Sequence, residues 1–389
     1  MSPQVVVVGG GLAGLSVAWH LAPTHRVLVL EQGPTPGSQA SAQNAGMLRR
    51  MGEDPYERAL AVRTHDFLSG PLPADWEHNP SRVTGAVMAL HSDPEHLHDA
   101  AAHLAAKGLE LHAVRDPAAI APALRGAPIV SAWHLPQERV VDPHGLLQGF
   151  LTGLRRMGGT LRCNARVTGL TAGAVTLSTG EVIEAQTTVL AGGAWSWDLA
   201  RRAGLRRPLV PVRRALMYAA PHPLVTRDHP WTWIDDIGLY IRPEGEGVLV
   251  SACDEALDYP DPQALETQGP LPERTTDLLA EKLQRYMPAL ADLQPRRGWT
   301  GLRTFAPDRR PVLGADPERP DLWWAAGLGG FGVTCSVGVG QALAAWIRGE
   351  DTDWLHRPGT NPARPHPSRW LIRPQGELRT AKLAASSPG

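Results

Sequence analysis

The tightest constraint on this chain lies in its first 31 residues. Four consecutive valines, Val5–Val8, run into Gly9-Gly10-Gly11-Leu12-Ala13-Gly14, and a second apolar run, Val27–Leu30, ends on Glu31. A short unbroken β-branched run suits a parallel strand covered on both faces. Leu12, Leu15 and Trp19 recur at helical spacing, so residues 4–31 read as strand, helix, strand, with the right-handed crossover such units take. The glycines have mechanical roles. Gly9 permits the tight turn, Gly11 lets backbone approach a pyrophosphate, and Gly14 lets the helix pack on the strand. The helix start at Leu12 and Ala13 then turns free N–H groups and the positive end of the helix dipole toward the phosphates. Glu31 stands about 20 residues on, where a carboxylate meets an adenosine ribose. The loop predicts a bound dinucleotide and does not choose between NAD and FAD.

The 389 residues of the chain suit two domains better than one. A net charge of −1 and a pI near 7.0 give no reason to expect nucleic acid. Cys163, Cys253 and Cys335 are widely spaced, with no C-x-x-C pair, which predicts reduced thiols rather than disulfides or zinc. No signal-peptide pattern and no membrane-length apolar run is found, so a cytoplasmic location is expected. Helices are predicted over 11–21, 55–68, 93–107, 142–157, 277–287 and 337–348. Strands are predicted over 160–167, 175–178, 188–191 and 322–326, and an antiparallel sheet over 209–252. His96, His98 and His103 fall on or near the 93–107 helix and are read as a solvated face rather than a metal site. The tail beyond Arg357 is rich in Pro and Arg and is read as extended, or as docking through Trp370, Leu371 and Ile372.

Four further segments carry a family resemblance: S-A-Q-N-A-G-M-L at Ser41–Leu48, V-L-A-G-G-A-W at Val189–Trp195, G-L-R-T-F-A-P-D-R-R-P-V-L-G at Gly301–Gly314, and G-L-G-G-F-G-V-T at Gly327–Thr334. In this order and spacing they resemble the D-amino-acid oxidase-like family of FAD-dependent amine oxidoreductases, over roughly residues 4–357. The resemblance implies an α/β fold, with a Rossmann-type FAD domain on a parallel sheet and a substrate domain on a mostly antiparallel sheet. The FAD domain is expected at 1–75, 138–208 and 298–357, the substrate domain at 76–137 and 209–297, and a tail at 358–389. The implied FAD-binding residues are Gly9, Gly11, Leu12, Ala13, Gly14, Glu31, Gln32, Ser41, Asn44, Ala45, Gly46, Met47, Val167, Ala191, Gly192, Trp195, Arg303, Gly329, Gly330, Phe331, Gly332, Val333 and Thr334. Val167 is expected to meet the adenine through its backbone, and residues 330–334 to face the flavin pyrimidine. The FAD is expected to be non-covalent, because Thr304–Gly314 has no Cys.

The resemblance also implies the chemistry, a hydride leaving the substrate α-carbon for the flavin and an imine that water hydrolyses to an oxo acid. Arg303 is implied to bind the substrate carboxylate, since its planar fork matches two oxygens. Tyr240 is implied over the substrate, Arg214 as a second cation, and Trp231 and Trp233 chiefly as packing. Pro211–Ala220 and Trp299–Asp308 are most similar to D-arginine dehydrogenase-like chains, with two departures. No carboxylate occurs in Arg82–Leu90, and Met47 stands where a His is expected. A free-carboxylate substrate with a small or apolar neutral side chain follows. The electron acceptor is oxygen or a quinone. Lys107 and Lys282 are expected in solvent, and without a lysine to assist oxygen a dehydrogenase is favoured over an oxidase. The alternative readings are an FAD-holding subunit of a hetero-oligomeric amine dehydrogenase and a glycine/sarcosine-type oxidase, and both homo- and hetero-oligomers are open.

Overall fold

The computed structural model describes residues 4–355 apart from residues 53, 75 and 94. Trp370, Leu371 and Ile372 lie outside the described residues.

A six-stranded sheet runs in the order Val312–Ala315, Leu322–Ala326, Thr187–Leu190, Val5–Val8, Val27–Leu30, Thr160–Arg162. Every neighbouring pair is parallel except the first, which is antiparallel. Val5 and Val7 face a core shared with helices Leu12–Leu21, Pro143–Arg156 and Ser336–Ile347. Val6 and Val8 face the opposite core, under a small antiparallel sheet of Val167–Thr171, Ala174–Leu177 and Val182–Glu184. Both faces are therefore covered, and each fully buried valine contributes about 1.5–3 kcal/mol. That is why the strand reads as an unbroken apolar run.

The second large sheet has nine strands. Its path is Ala256–Leu257, Val210–Ala219, Gly247–Ser251, Leu239–Glu244, Trp231–Ile234, Ala86–Leu90, Ser131–Leu135 and His112–Ala113. Pro295–Phe305 pairs antiparallel along Val210–Ala219. The sheet is antiparallel apart from the pair Trp231–Ile234 with Ala86–Leu90. The strand carrying Arg303 thus belongs to this sheet, and a boundary drawn at residue 298 falls within it. A three-stranded sheet of Met47–Leu48, Arg139–Val141 and Ser81–Val83 stands beside the first two.

Two expected elements differ. The strand expected over 160–167 is two strands, Thr160–Arg162 and Val167–Thr171, because Asn164 takes a left-handed φ of 53°. The turn so made docks on the Glu31 loop, with Asn164 N–H donating to the Gly33 carbonyl and Ala165 N–H to that of Glu31. The helix expected over 93–107 spans only His98–Ala106. Asp93 instead accepts from the N–H groups of Glu95 and His96, closing a separate turn, and Leu97 at φ 34° breaks the path between turn and helix.

Candidate active site

Two adjoining cavities lie at the carboxyl ends of the parallel strands, between the two large sheets. The first is walled by Gly9, Gly11, Leu12 and Ala13, by Glu31 and Gln32, by Ser41 and Asn44, by Val167, by Ala191, Gly192 and Trp195, and by Gly329, Gly330, Gly332 and Val333. Backbone and small residues dominate it, for a steric reason. A Cβ on Gly9 would sit 2.4 Å from the Ala191 carbonyl oxygen, and one on Gly14 would sit 2.0 Å from that of Gly9. Gly14 does not wall the cavity; it seats the helix on the strand. Ser41 Oγ accepts from the Leu12 N–H at 3.0 Å, so a residue 29 positions away caps this helix. Glu31 accepts from Gly10 N–H and Gly33 N–H, each at 2.8 Å. Burial raises the Glu31 carboxyl above its ordinary pKa, and these two bonds pull against that rise.

The first cavity fits an elongated dinucleotide. Its lining brings together Glu31, the start of the Leu12–Leu21 helix, Arg303 and Gly330. A Cβ at Gly332 would meet no protein atom within 4 Å, so it would enter the cavity. Gln43 Oε1 is buried with no partner at the cavity wall. Thr267 closes one side. Its N–H and hydroxyl donate to Gln39 Oε1 at 3.2 and 2.9 Å, and its carbonyl accepts from Arg213 Nη1 at 2.6 Å. The 258–267 segment is thereby strapped over the cavity, a role for Arg213, Gln39 and Thr267 that no sequence motif signals.

Ala45, Gly46, Met47, Phe331 and Thr334 line the second cavity rather than the first. Asn44, Arg214, Arg303, Gly330 and Val333 line both. Register explains the convergence: Arg214 pairs with Gly301, Arg303 with Val212, and Tyr240 lies between Trp233 and Ser251 on the same sheet. Arg303 has no hydrogen-bond or ion-pair partner among the described residues. Its guanidinium lies so close to Gly330 that a Cβ there would be 2.6 Å from Nη1. Burial, and then the charge of Arg214, lower its pKa to about 10, which leaves it cationic at neutral pH. The Tyr240 hydroxyl is buried without a hydrogen-bond partner. Burial raises its pKa, against the pull of Arg303. Arg214 is anchored by Glu255 and the Asp254 carbonyl, whereas Arg213 turns to the opposite face and pairs with Asp258.

Several site residues went unread in the sequence. Arg49 lines the second cavity with its guanidinium between the rings of Trp233 and Phe331, at 4.4 and 4.6 Å from their centroids. It donates to Asp235 at 2.6 Å, and Asp235 also meets His96 Nε2 at 3.0 Å. His96 is therefore not on a solvated face. Arg242 is buried and donates to the Ala45 carbonyl, fixing the loop between the cavities. Trp231 is core, but Trp233 lines the cavity and stacks on Tyr240 at 4.6 Å. Lys282 is not in solvent. Its ammonium lines the second cavity and donates to the carbonyls of Ile237, Gly238 and Ala252 at 2.7, 3.1 and 2.7 Å, held there because the helix Glu273–Tyr286 packs its partly buried side against the sheet. Arg82–Leu90 does lack a carboxylate, yet the next strand supplies one: Asp235 N–H donates to the Ala89 carbonyl. Charged side chains line much of the second cavity.

All three cysteines are free, and no helix among the described residues is long and apolar enough to cross a membrane. Cys335 is fully buried, with its thiol pKa pushed well up by burial.

The profile of the family described as DAO, FAD dependent oxidoreductase, matches residues 4–346. Glycine oxidase of Bacillus licheniformis is 26% identical over 378 residues, covering 90% of this chain and 95% of that protein. D-amino acid dehydrogenase of Methylobacterium sp. (strain 4-46) is 27% identical over 421 residues, covering 91% and 97%. The crystal structure of L-proline dehydrogenase from P.horikoshii has the same fold, with a TM-score of 0.76 at 21% identity over 91% of this chain and 95% of that one.

Proposed function

The chain belongs to the DAO family of FAD-dependent oxidoreductases, and from that premise we propose that it oxidises an amine or amino acid bearing a free carboxylate. The observation that carries this reading is Arg303, a half-buried cation with no partner among the described residues, between the turn at Gly330 and the unpartnered hydroxyl of Tyr240. Leaving a guanidinium so placed costs stability unless a ligand answers it. Arg303 binds the substrate carboxylate through its fork, and Tyr240 donates its hydroxyl to the same group. FAD, when bound, supplies the two-electron acceptor for the hydride that leaves the substrate α-carbon. The chain's residues orient the substrate and narrow access by water, which is where proximity contributes most. Water hydrolyses the released imine to an oxo acid and ammonia or an amine.

Residues Gly9, Gly11, Glu31, Ser41, Val167 and Gly332 would hold the cofactor without a covalent bond. Cys335 is buried away from either cavity, and Thr304–Gly314 offers no thiol. Acid precipitation of the holoprotein releases yellow flavin to the supernatant on this reading; a yellow pellet contradicts it. The function is tested by anaerobic mixing of the holoenzyme with amino acids and secondary amines while the flavin absorbance is followed. Bleaching by at least one carboxylate-bearing amine is expected, and no bleaching by any would refute the proposal. With Lys282 in the cavity wall, oxygen stands beside a quinone as acceptor. The rate at which air restores the bleached band separates the two.

A further inference from the structure

We infer that Arg49 is a specificity-determining residue that receives a second carboxylate, on the substrate side chain, so that the preferred substrates are amino or imino diacids. This rests on the reading above, in which Arg303 takes the first carboxylate.

Three features of the second cavity lead there. The first is the pose of Arg49. Its guanidinium carbon lies 4.4 Å from the Trp233 ring centroid and 4.6 Å from that of Phe331, so two cation–π contacts hold the group in place. One edge donates to Asp235 through Nη1. A guanidinium has five N–H groups, and no other acceptor among the described residues takes the rest. They border the cavity, and none is a sealed, unsatisfied donor. A fixed planar edge of N–H donors is a receptor for a carboxylate.

The second feature is the charge already spent. Asp235 is answered by both Arg49 and His96, and so is not offered to an incoming cation. A substrate with a guanidinium or ammonium side chain would find that position filled by the protein's own Arg49. The third is the charge not spent. Arg214 and Arg309 share Glu255, whereas Arg303 and Lys282 have no ion-pair partner among the described residues. Lys282 grips the carbonyls of Ile237 and Gly238, in the turn that follows Asp235. Its ammonium lines the cavity near Arg214, so the wall carries cations besides Arg49. A monocarboxylate answers Arg303 and leaves the remaining N–H groups of Arg49 unmatched; a diacid answers both.

The test uses the purified holoenzyme. Flavin bleaching is measured anaerobically with both enantiomers of aspartate, glutamate, asparagine, glutamine, alanine and lysine, and with iminodiacetate. Binding without turnover is measured by the flavin difference spectrum with glutarate and with butyrate. The best diacid is expected to exceed its amide or neutral counterpart about tenfold or more in kcat/KM, and glutarate to bind about tenfold tighter than butyrate. Arg49→Met should lower kcat/KM for the diacid about tenfold more than for alanine, and Arg49→Lys should restore part of the difference. An amide or alanine used as well as the diacid overturns the inference, as does an equal loss on every substrate in Arg49→Met, which would make Arg49 a clip between the flavin turn and the sheet. Should Arg49→Met fail to fold, the glutarate and butyrate comparison on the wild-type protein decides. Bleaching by neutral amino acids with no diacid preference sinks this inference alone. Bleaching by nothing sinks the proposed function, while the two binding constants still judge Arg49.

Discussion

The two cavities share a wall and are built in opposite ways. The first is made of main chain and small residues at the ends of parallel strands, and its polar contacts are chiefly N–H groups, one capping hydroxyl and one carboxylate. The second is made of charged side chains drawn from residues 49, 214, 235, 282 and 303, which meet because the nine-stranded sheet, the end of the strand Met47–Leu48 and one helix bring them together. A large common cofactor is held by geometry that admits no side chain. A small substrate must be told from its competitors, and that takes charges at fixed points.

The sharpest way to break the comparison is at Gly14. Gly14→Ala forces a Cβ to within 2.0 Å of backbone oxygen, and the backbone cannot yield as a side-chain tip would. The expected result is a cost of about 3 kcal/mol or more, seen as a lower melting temperature and protein purified without flavin. A yellow variant of normal stability would show that the first cavity does not depend on this close approach.

Arg303→Leu attacks the second cavity. Loss of the carboxylate partner should lower kcat/KM by about 2–4 kcal/mol for any amino acid the wild type oxidises. An unchanged kcat/KM removes Arg303 from substrate binding, and flavin content measured on the same sample reports whether the first cavity survives.

Tyr240→Phe is a finer probe. The hydroxyl has no protein hydrogen bond to lose, so the melting temperature should not fall. Substrate binding should weaken by about 0.5–1.5 kcal/mol. A clear loss of stability with unchanged KM would mean that the hydroxyl serves the fold rather than the ligand.

The smallest effect is expected at the strap. Gln39→Ala removes the acceptor of two Thr267 bonds. The rate of FAD release, followed by the rise of flavin fluorescence on dilution, should increase by about two- to tenfold. A rate equal to wild type would show that the 258–267 segment covers the cavity without retaining its contents.

Read in sequence, the valine strand, the glycine loop and Glu31 already determined the parallel sheet and the first cavity. Their signals are local, because a covered strand must be apolar throughout and a close backbone approach must be glycine, whichever segment lies across the contact. Arg303 and Tyr240 were legible through motifs on their own strands. Arg49, Asp235 and Lys282 were not, because what gives each its role is a partner 186 residues away in one case and 30 to 45 in another. A lysine on an amphipathic helix reads as solvated until its helix is placed, and an arginine beside a loop reads as surface until two aromatic rings close over it. Which charges are paired, and which are left for a ligand, is a property of distances between strands and helices, and those are decided only when the sheets pack.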